Sequence, residues 1–194
     1  GEILRQVVEI VQPQLGKLSS AQSTGTMLLG TVEGDIHDLG KDIFKILLTC
    51  YGFTVVDLAN ARYRPGGRRS ADEFSFPYPD ATFDFAIATS LFTHLGPDAL
   101  ARYVAETARV LRPGARLLAT LFLIDDGAAQ RIDDGATALR LTCRGAGFRT
   151  LAAHPHDPDY LVAYDEAVVR DVLARHGLAI VEPVHRGTWV NPAS

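Results

Sequence analysis

The apolar positions of the first sixty residues change their spacing in a regular way. Residues 2–15 place apolar side chains three and four positions apart, which predicts an amphipathic N-terminal helix. The run "TMLLGTV", residues 26–32, is short and largely apolar, as is typical of a central parallel strand. A second helical pattern begins at Leu39 and ends at Gly52, and "FTVVDL", residues 53–58, predicts the next strand. Strand, helix and strand together predict a βαβ unit with a right-handed crossover.

The rest of the chain alternates between apolar runs and helical patterns in the same way. Residues 59–83 form a long connection rich in Gly, Pro and Arg, with at most a short edge strand near 74–76. Residues 128–146 give a less certain helical pattern, and the structure of 124–158 stays open. The other predicted elements are, in order, the strand "DFAIATSL", the helix "GPDALARYVAETARVLRPG", the strands "ARLLATLFLI" and "YLVAYD", the helix "EAVVRDVLARHG" and the strand "LAIVEPVHRG".

The alternation of strands and helices decides the predicted fold class. It is typical of α/β proteins, and we expect a doubly wound, mostly parallel Rossmann-like sheet of about seven strands. Helices should cover both faces of this sheet, in addition to the N-terminal helix. A chain of 194 residues is long enough for a single domain with its own core.

Composition excludes two classes of function. The chain has 47% hydrophobic and 22% charged residues and a formal net charge of -4, so we expect a soluble globular protein with neither nucleic acid nor membrane as a partner. Its two cysteines, Cys50 and Cys143, lack the spacing of a metal site, and reduced thiols in a cytoplasmic protein are the expectation. The chain begins with Gly1 rather than Met, which is typical of a tag remnant or an excised fragment.

A histidine motif lies between the first predicted strand and its helix. The stretch "GTVEGDIHDLGKDI" contains Asp35, His37 and Gly40 in a D-x-H-x-x-G pattern, and "YGFTVVDL" follows it. This segment resembles the cobalamin-binding domain of corrinoid proteins and methionine synthases. The resemblance implies that His37 is the lower axial ligand of cobalt, that Asp35 hydrogen-bonds to it, and that Gly40 lets the backbone pass close to the macrocycle. A carboxylate in this role fixes the imidazole tautomer and raises its basicity.

The rest of the corrinoid-type site is incomplete in this chain. The resemblance implies a Ser or Thr motif after the next core strand, and by topology Thr89 and Ser90 fall near that place. It also implies a Gly-Gly pair after the strand beyond, where the nucleotide tail of the cofactor enters a slot. This chain has Leu121, Phe122 and Leu123 there, and these bulky side chains should fill the pocket for the tail.

From about residue 59 the chain resembles a second family, the class I S-adenosylmethionine-dependent methyltransferases. The resemblance is carried by "FPYPDATFDFAIATSLFTHL", "YVAETARVLRPGARLLATLFL" and "VLARHGLAIVEPVHRGTW". It implies the strand order of that family, with the last strand antiparallel. The Gly-rich loop by which that family holds its cofactor is replaced here by "VEGDIHDLGKD". Asp57 ends the second strand, where the family has an acid that binds the ribose hydroxyls, and a plain surface carboxylate is the alternative interpretation.

The two resemblances together predict an artificial chimera. In this hypothesis a corrinoid-type fragment, residues 1–58, is joined to a methyltransferase-type fragment, residues 59–194, within one α/β domain. We expect a scaffold with no evolved catalytic activity and no required cofactor. The first alternative is a residual corrinoid-binding module that uses His37 and takes cobinamide in preference to full cobalamin. The second alternative is a methyltransferase that uses S-adenosylmethionine, and binding of either cofactor should be weak.

Overall fold

The computed structural model describes residues 24–30, 45, 47–49, 51–58, 73–137, 139–151 and 161–187. The predicted N-terminal helix lies outside the described residues, and so do Asp35, His37 and Gly40. None of the helices within the described ranges is long and apolar enough to cross a membrane.

Eight strands and three longer helices follow one another along the described residues. A 3-10 helix spans Phe92–His94, and Lys45 and residues 47–49 are also helical. The strands are β1 Gly25–Gly30, β2 Phe53–Leu58, β3 Phe83–Ala88, β4 Leu111–Ala119, β5 Phe122–Ile124, β6 Leu141–Gly145, β7 Phe148–Leu151 and β8 Val162–Asp165, and the helices are α1 Pro97–Val110, α2 Asp126–Asp133 and α3 Glu166–Arg175.

The strands form two four-stranded sheets. The first has the order β2-β1-β3-β4 and is parallel throughout. The second has the order β5-β8-β7-β6, in which β5 and β8 are parallel and β7 is antiparallel to both of its neighbours. Thr120 and Leu121 separate β4 from β5. Strands β6 and β7 lie in the region whose structure the sequence left open. The α/β fold with a mostly parallel central sheet is confirmed.

Helices cover both faces of the first sheet, as predicted. The side chains of β1 alternate between its faces: Leu28 packs into the core formed with α1, whereas Met27 and Leu29 pack with Leu48 of the helical residues before β2. Gly52 ends that earlier helix with a positive φ of 84°, and its carbonyl accepts a hydrogen bond of 3.0 Å from the N–H of Thr24. The end of the helix and the start of β1 are therefore tied together.

One local prediction was wrong and another was right only in part. Residues 178–187, predicted as the last strand, lie in no strand, and antiparallel pairing occurs instead among β6, β7 and β8. Within that stretch Pro183 has no N–H to donate to a sheet, and the side chains of Glu182 and Arg186 pair with α3. Residues 128–146 are helical only to the end of α2, where Gly135 follows with φ of 70°. Residues 141–145 form β6 instead, and Gly147, with φ of 78°, lies in the turn to β7.

The segment near residues 74–76, predicted to hold at most a short edge strand, forms none and is clamped to α1 by three charged side chains. The first, Arg102, donates to the carbonyl of Phe74 at 3.0 Å. Glu106 is only 5% exposed, and its carboxylate accepts hydrogen bonds from the N–H of Phe76 at 2.8 Å and from Arg109 at 2.7 Å. Arg109 also donates to the carbonyl of Tyr78 and to the carboxylate of Asp80, each at 2.8 Å. These bonds take up polar groups of the segment that a strand would use in a ladder.

The same contacts set the protonation of Glu106. Burial raises the pKa of this carboxyl, but the hydrogen bonds from Arg109 and from the N–H of Phe76 outweigh burial and hold the pKa below its ordinary value. Because the folded-state pKa is lowered, the clamp contributes stability above the ordinary glutamate pKa. That contribution is lost as the pH falls through the folded-state value.

We predict that Glu106→Gln lowers the free energy of unfolding by about 1–3 kcal/mol at neutral pH, because charge-assisted hydrogen bonds are replaced by weaker ones in a buried position. The deficit should be smaller at acid pH, because the wild-type carboxylate is itself protonated as the pH falls through its lowered folded-state pKa. Urea unfolding followed by circular dichroism measures both values. Glu73→Gln, which removes an exposed carboxylate ahead of the same segment, is the control. An equal deficit at both pH values would show that charge has no part in the clamp.

Candidate functional site

The carboxyl ends of the four parallel strands meet at one edge of the first sheet. Gly30, the last residue of β1, is paired with Leu58 of β2 on one side and with Ala88 of β3 on the other, and Ala88 is paired with Ala119 of β4. The chain runs from β1 outward to β2 and then returns to the other side of β1 to form β3. The strand order therefore reverses between β1 and β3, where ligands of open α/β sheets bind.

The structure brings two of the predicted site residues directly to this edge. Thr89 and Ser90 follow the last residue of β3, and both side chains are half-buried. Asp57 lies in β2, where its Cα is paired with Leu29, one residue before the edge. The side chain of Asp57 is outside the described part of the structure. Asp35, His37 and Gly40 follow β1 in the sequence and remain predictions.

Ser90 is held in an unusual conformation by a residue that the sequence analysis missed. Its φ is 53°, in the left-handed region that non-glycine residues rarely adopt. The N–H of Ser90 donates to Oγ1 of Thr120 at 2.9 Å, and the N–H of Thr120 donates to the carbonyl of Ala88 at 3.0 Å. Thr120 thus closes the gap between β3 and β4 just beyond the sheet. The signal for it was a lone hydroxyl within the apolar run "ARLLATLFLI".

The residues after Thr120 fill the space beside the edge with apolar side chains. Leu121 and Leu123 pack against the core shared with α1, and Phe122 packs against the core of the second sheet. All three are half-buried. The edge therefore combines the half-buried side chains of Thr89 and Ser90 with bulky apolar neighbours. Such a surface can bind hydroxyl and amide groups of a ligand beside its apolar parts.

Metal binding by clustered side chains finds no support within the described ranges. No group of three or more His, Cys, Asp or Glu residues is arranged there to hold a metal ion. His37 lies outside those ranges.

Comparison with known proteins links the chain to two families. The family described as "Methyltransferase domain" matches residues 29–119, from the end of β1 to the last residue of β4. This match begins inside the segment predicted as corrinoid-like. The PH0226 protein from Pyrococcus horikoshii OT3 has a similar fold, with a TM-score of 0.51 and 18% identity over 90% of this chain and 82% of that one. At this identity the likeness concerns the fold alone.

The curated relatives are corrinoid proteins. Trimethylamine corrinoid protein 2 of Methanosarcina acetivorans is 45% identical over 58 residues, which is 29% of this chain. A corrinoid protein of Desulfitobacterium hafniense is 42% identical over 59 residues. The matched region spans only 27% of the length of each of these relatives. Both resemblances noted in the sequence are confirmed, one to methyltransferases and one to corrinoid proteins.

We predict that Thr120→Val destabilises the edge, because it leaves the N–H of Ser90 without its acceptor while nearly preserving side-chain volume. The free energy of unfolding should fall by about 1–2 kcal/mol. Thr120→Ser keeps the hydroxyl and should recover most of this loss. Thermal or urea unfolding of the two variants makes the comparison, and equal losses in both would exclude the hydrogen bond as the cause.

Proposed function

We propose that this chain is a chimeric methyltransferase-type scaffold that binds S-adenosylmethionine at the carboxyl edge of β1 and β3, without evolved turnover. The observation that carries the proposal is the strand order β2-β1-β3-β4, which reverses between β1 and β3. Of the predicted site residues, Thr89 and Ser90 follow β3 at that edge and Asp57 lies one residue before the end of β2. The methyltransferase family match covers the same stretch, from the end of β1 to the end of β4.

The side chains at the edge suit the polar groups of this cofactor. A carboxylate at Asp57 accepts hydrogen bonds from vicinal hydroxyls, and Thr89 and Ser90 offer hydroxyls as both donors and acceptors. S-adenosylmethionine, when bound, supplies an activated methyl group on sulfur. The loop "VEGDIHDLGKD" carries larger side chains than the Gly-rich loop that it replaces. We therefore expect weak binding.

The chimeric origin is supported by how the two resemblances share one sheet. β1 and β2 lie in the segment predicted as corrinoid-like, and β3 lies in the segment predicted as methyltransferase-like. β1 nevertheless pairs with β3 in continuous register from Met27 opposite Phe85 to Gly30 opposite Ala88. Met27 and Leu29 share a buried cluster with Ile87 of β3. Such packing is what a graft between two βαβ-based folds must preserve.

A corrinoid is the second candidate ligand. It is favoured by the 45% identity to a trimethylamine corrinoid protein and by the D-x-H-x-x-G motif. The described residues suit only part of such a ligand, because Leu121 and Leu123 pack against the core where a nucleotide tail would need open space. His37 would hold the cobalt and Asp35 would orient the imidazole. Cobinamide, which lacks the nucleotide tail, should therefore bind in preference to cobalamin.

For the first ligand we predict a thermal shift that depends on Asp57. S-adenosylhomocysteine is a stable analogue of S-adenosylmethionine. At a concentration ten times its Kd, it should raise the free energy of unfolding by roughly 1.4 kcal/mol. Asp57→Asn should weaken the affinity by about tenfold, because a charge-assisted hydrogen bond is lost. Asp171→Asn, which removes an exposed carboxylate of α3, is the matched control. A shift that is absent in wild type, or unchanged in Asp57→Asn, would contradict the proposal.

For the second ligand we predict a visible absorption band that depends on His37. The protein is mixed with aquocobinamide or aquocobalamin, desalted and compared with His37→Ala, with His185→Ala as a control for an exposed histidine. Wild type should retain cobinamide, and His37→Ala should lose it. Retention that is equal in both variants would exclude cobalt ligation by His37. Loss of the corrinoid in all variants would remove this candidate and leave the proposal for S-adenosylmethionine standing.

A further inference from the structure

Residues 178–187, which we call the strap, lead from the end of α3 back towards its beginning. Their apolar sequence predicts a strand, yet Val181 is 71% exposed and the strap lies in no sheet. The N–H of Leu178 bonds to the carbonyl of Leu173 and completes the end of α3. Within the described part of the chain, no backbone-to-backbone hydrogen bond involves residues 179–187. The strap is therefore attached by its side chains.

Two ion pairs fasten the strap along α3. Glu182 of the strap lies 2.7 Å from Arg170, and Arg186 lies 2.5 Å from Glu166. The two strap residues are four positions apart, and so are their two partners on the helix. The earlier strap residue pairs with the later helix residue, and the later strap residue with the earlier one. The strap therefore lies antiparallel to α3. Each element offers one acid and one arginine, so this register matches every charge with its opposite.

A third ion pair ties the strap to α2. Arg186 lies 3.3 Å from the carboxylate of Asp125, which also accepts a hydrogen bond of 2.8 Å from the N–H of Ala128 and so caps α2. Glu166 is the hub of the network, since its side chain is 16% exposed and is shared by Arg170 and Arg186. Hydrogen bonds from Arg170 and then Arg186 hold the pKa of Glu166 below its ordinary value.

We propose that the strap is an ion-paired latch, closed at low ionic strength and released by salt. All the charged partners except Glu166 are at least 41% exposed, so dissolved ions reach them and screen their attraction. Single exposed pairs contribute little. Leu178 packs against the core where the strap leaves α3, and beyond it the apolar anchors are the half-buried Ile180 and Val184. The closed state therefore depends on several weak pairs acting together. Release turns a strand-forming segment, with its backbone groups free, out into solvent.

Elastase cleavage of the strap tests the latch, because this protease cuts after small apolar residues such as Ala179 and Val181. The rate at these bonds, followed by mass spectrometry, should rise at least about fivefold between roughly 0.01 M and 1 M NaCl. A synthetic peptide of residues 176–187 corrects for the effect of salt on the protease. If the corrected cleavage rate of the wild-type protein does not change with salt, the proposal is overturned, and no variant is needed to show this.

Charge exchange separates the latch from a general loss of structure. The double variant Glu182→Arg with Arg186→Glu places like charges against α3 and should be cleaved quickly even at low salt. In an Asp125→Asn background, where the third ion pair is absent and the amide oxygen can still cap α2, adding Glu166→Arg and Arg170→Glu restores opposite charges in the same register and should slow cleavage again. Arg175→Gln, whose partner lies on the same helix, should leave the rate unchanged. A restored variant that keeps its helical circular dichroism but is still cleaved quickly would refute the latch.

Discussion

β1 hydrogen-bonds to β2 along one edge through six residue pairs and to β3 along the other through four. A strand buried on both faces and paired on both edges cannot shift by one residue without sending Met27 and Leu29 to the wrong core. This register aligns Gly30 with the ends of β2 and β3. The position of the candidate site is thus a consequence of the pairing of one central strand.

Two segments outside the sheets are held by the same physical device. Near Phe76, a buried glutamate and an arginine of α1 bind the polar groups of the passing chain, and along α3 one glutamate and one arginine of the helix hold the strap. The two clamps differ in burial. Glu106 is largely shielded from solvent, so its contacts resist salt and respond to acid, whereas the strap depends on exposed pairs that ions can screen.

Predictions from the sequence succeeded where the chemistry is local. The bounds of β2 and α3 follow from apolar spacing with Gly52 and Gly177 as stops, because these signals lie within a few residues of each other. The strap was predicted as a strand because apolar spacing says nothing about partners far along the chain, such as Asp125. At the site, topology was enough to place Thr89 and Ser90 after β3. It did not indicate that Thr120 reaches across to Ser90, which depends on how two strands end in space.

The two-residue interruption between β4 and β5 separates the two sheets. Among the described residues, β3 pairs with β4 only up to Ala119, and β8 pairs with the following strand only from Phe122 onward. No hydrogen-bonded ladder spans the break, and the two sides meet through side-chain packing, which tolerates substitutions that conserve volume. Because the two sheets share one buried core while no described strand ladder crosses residues 120–121, each sheet keeps its own register.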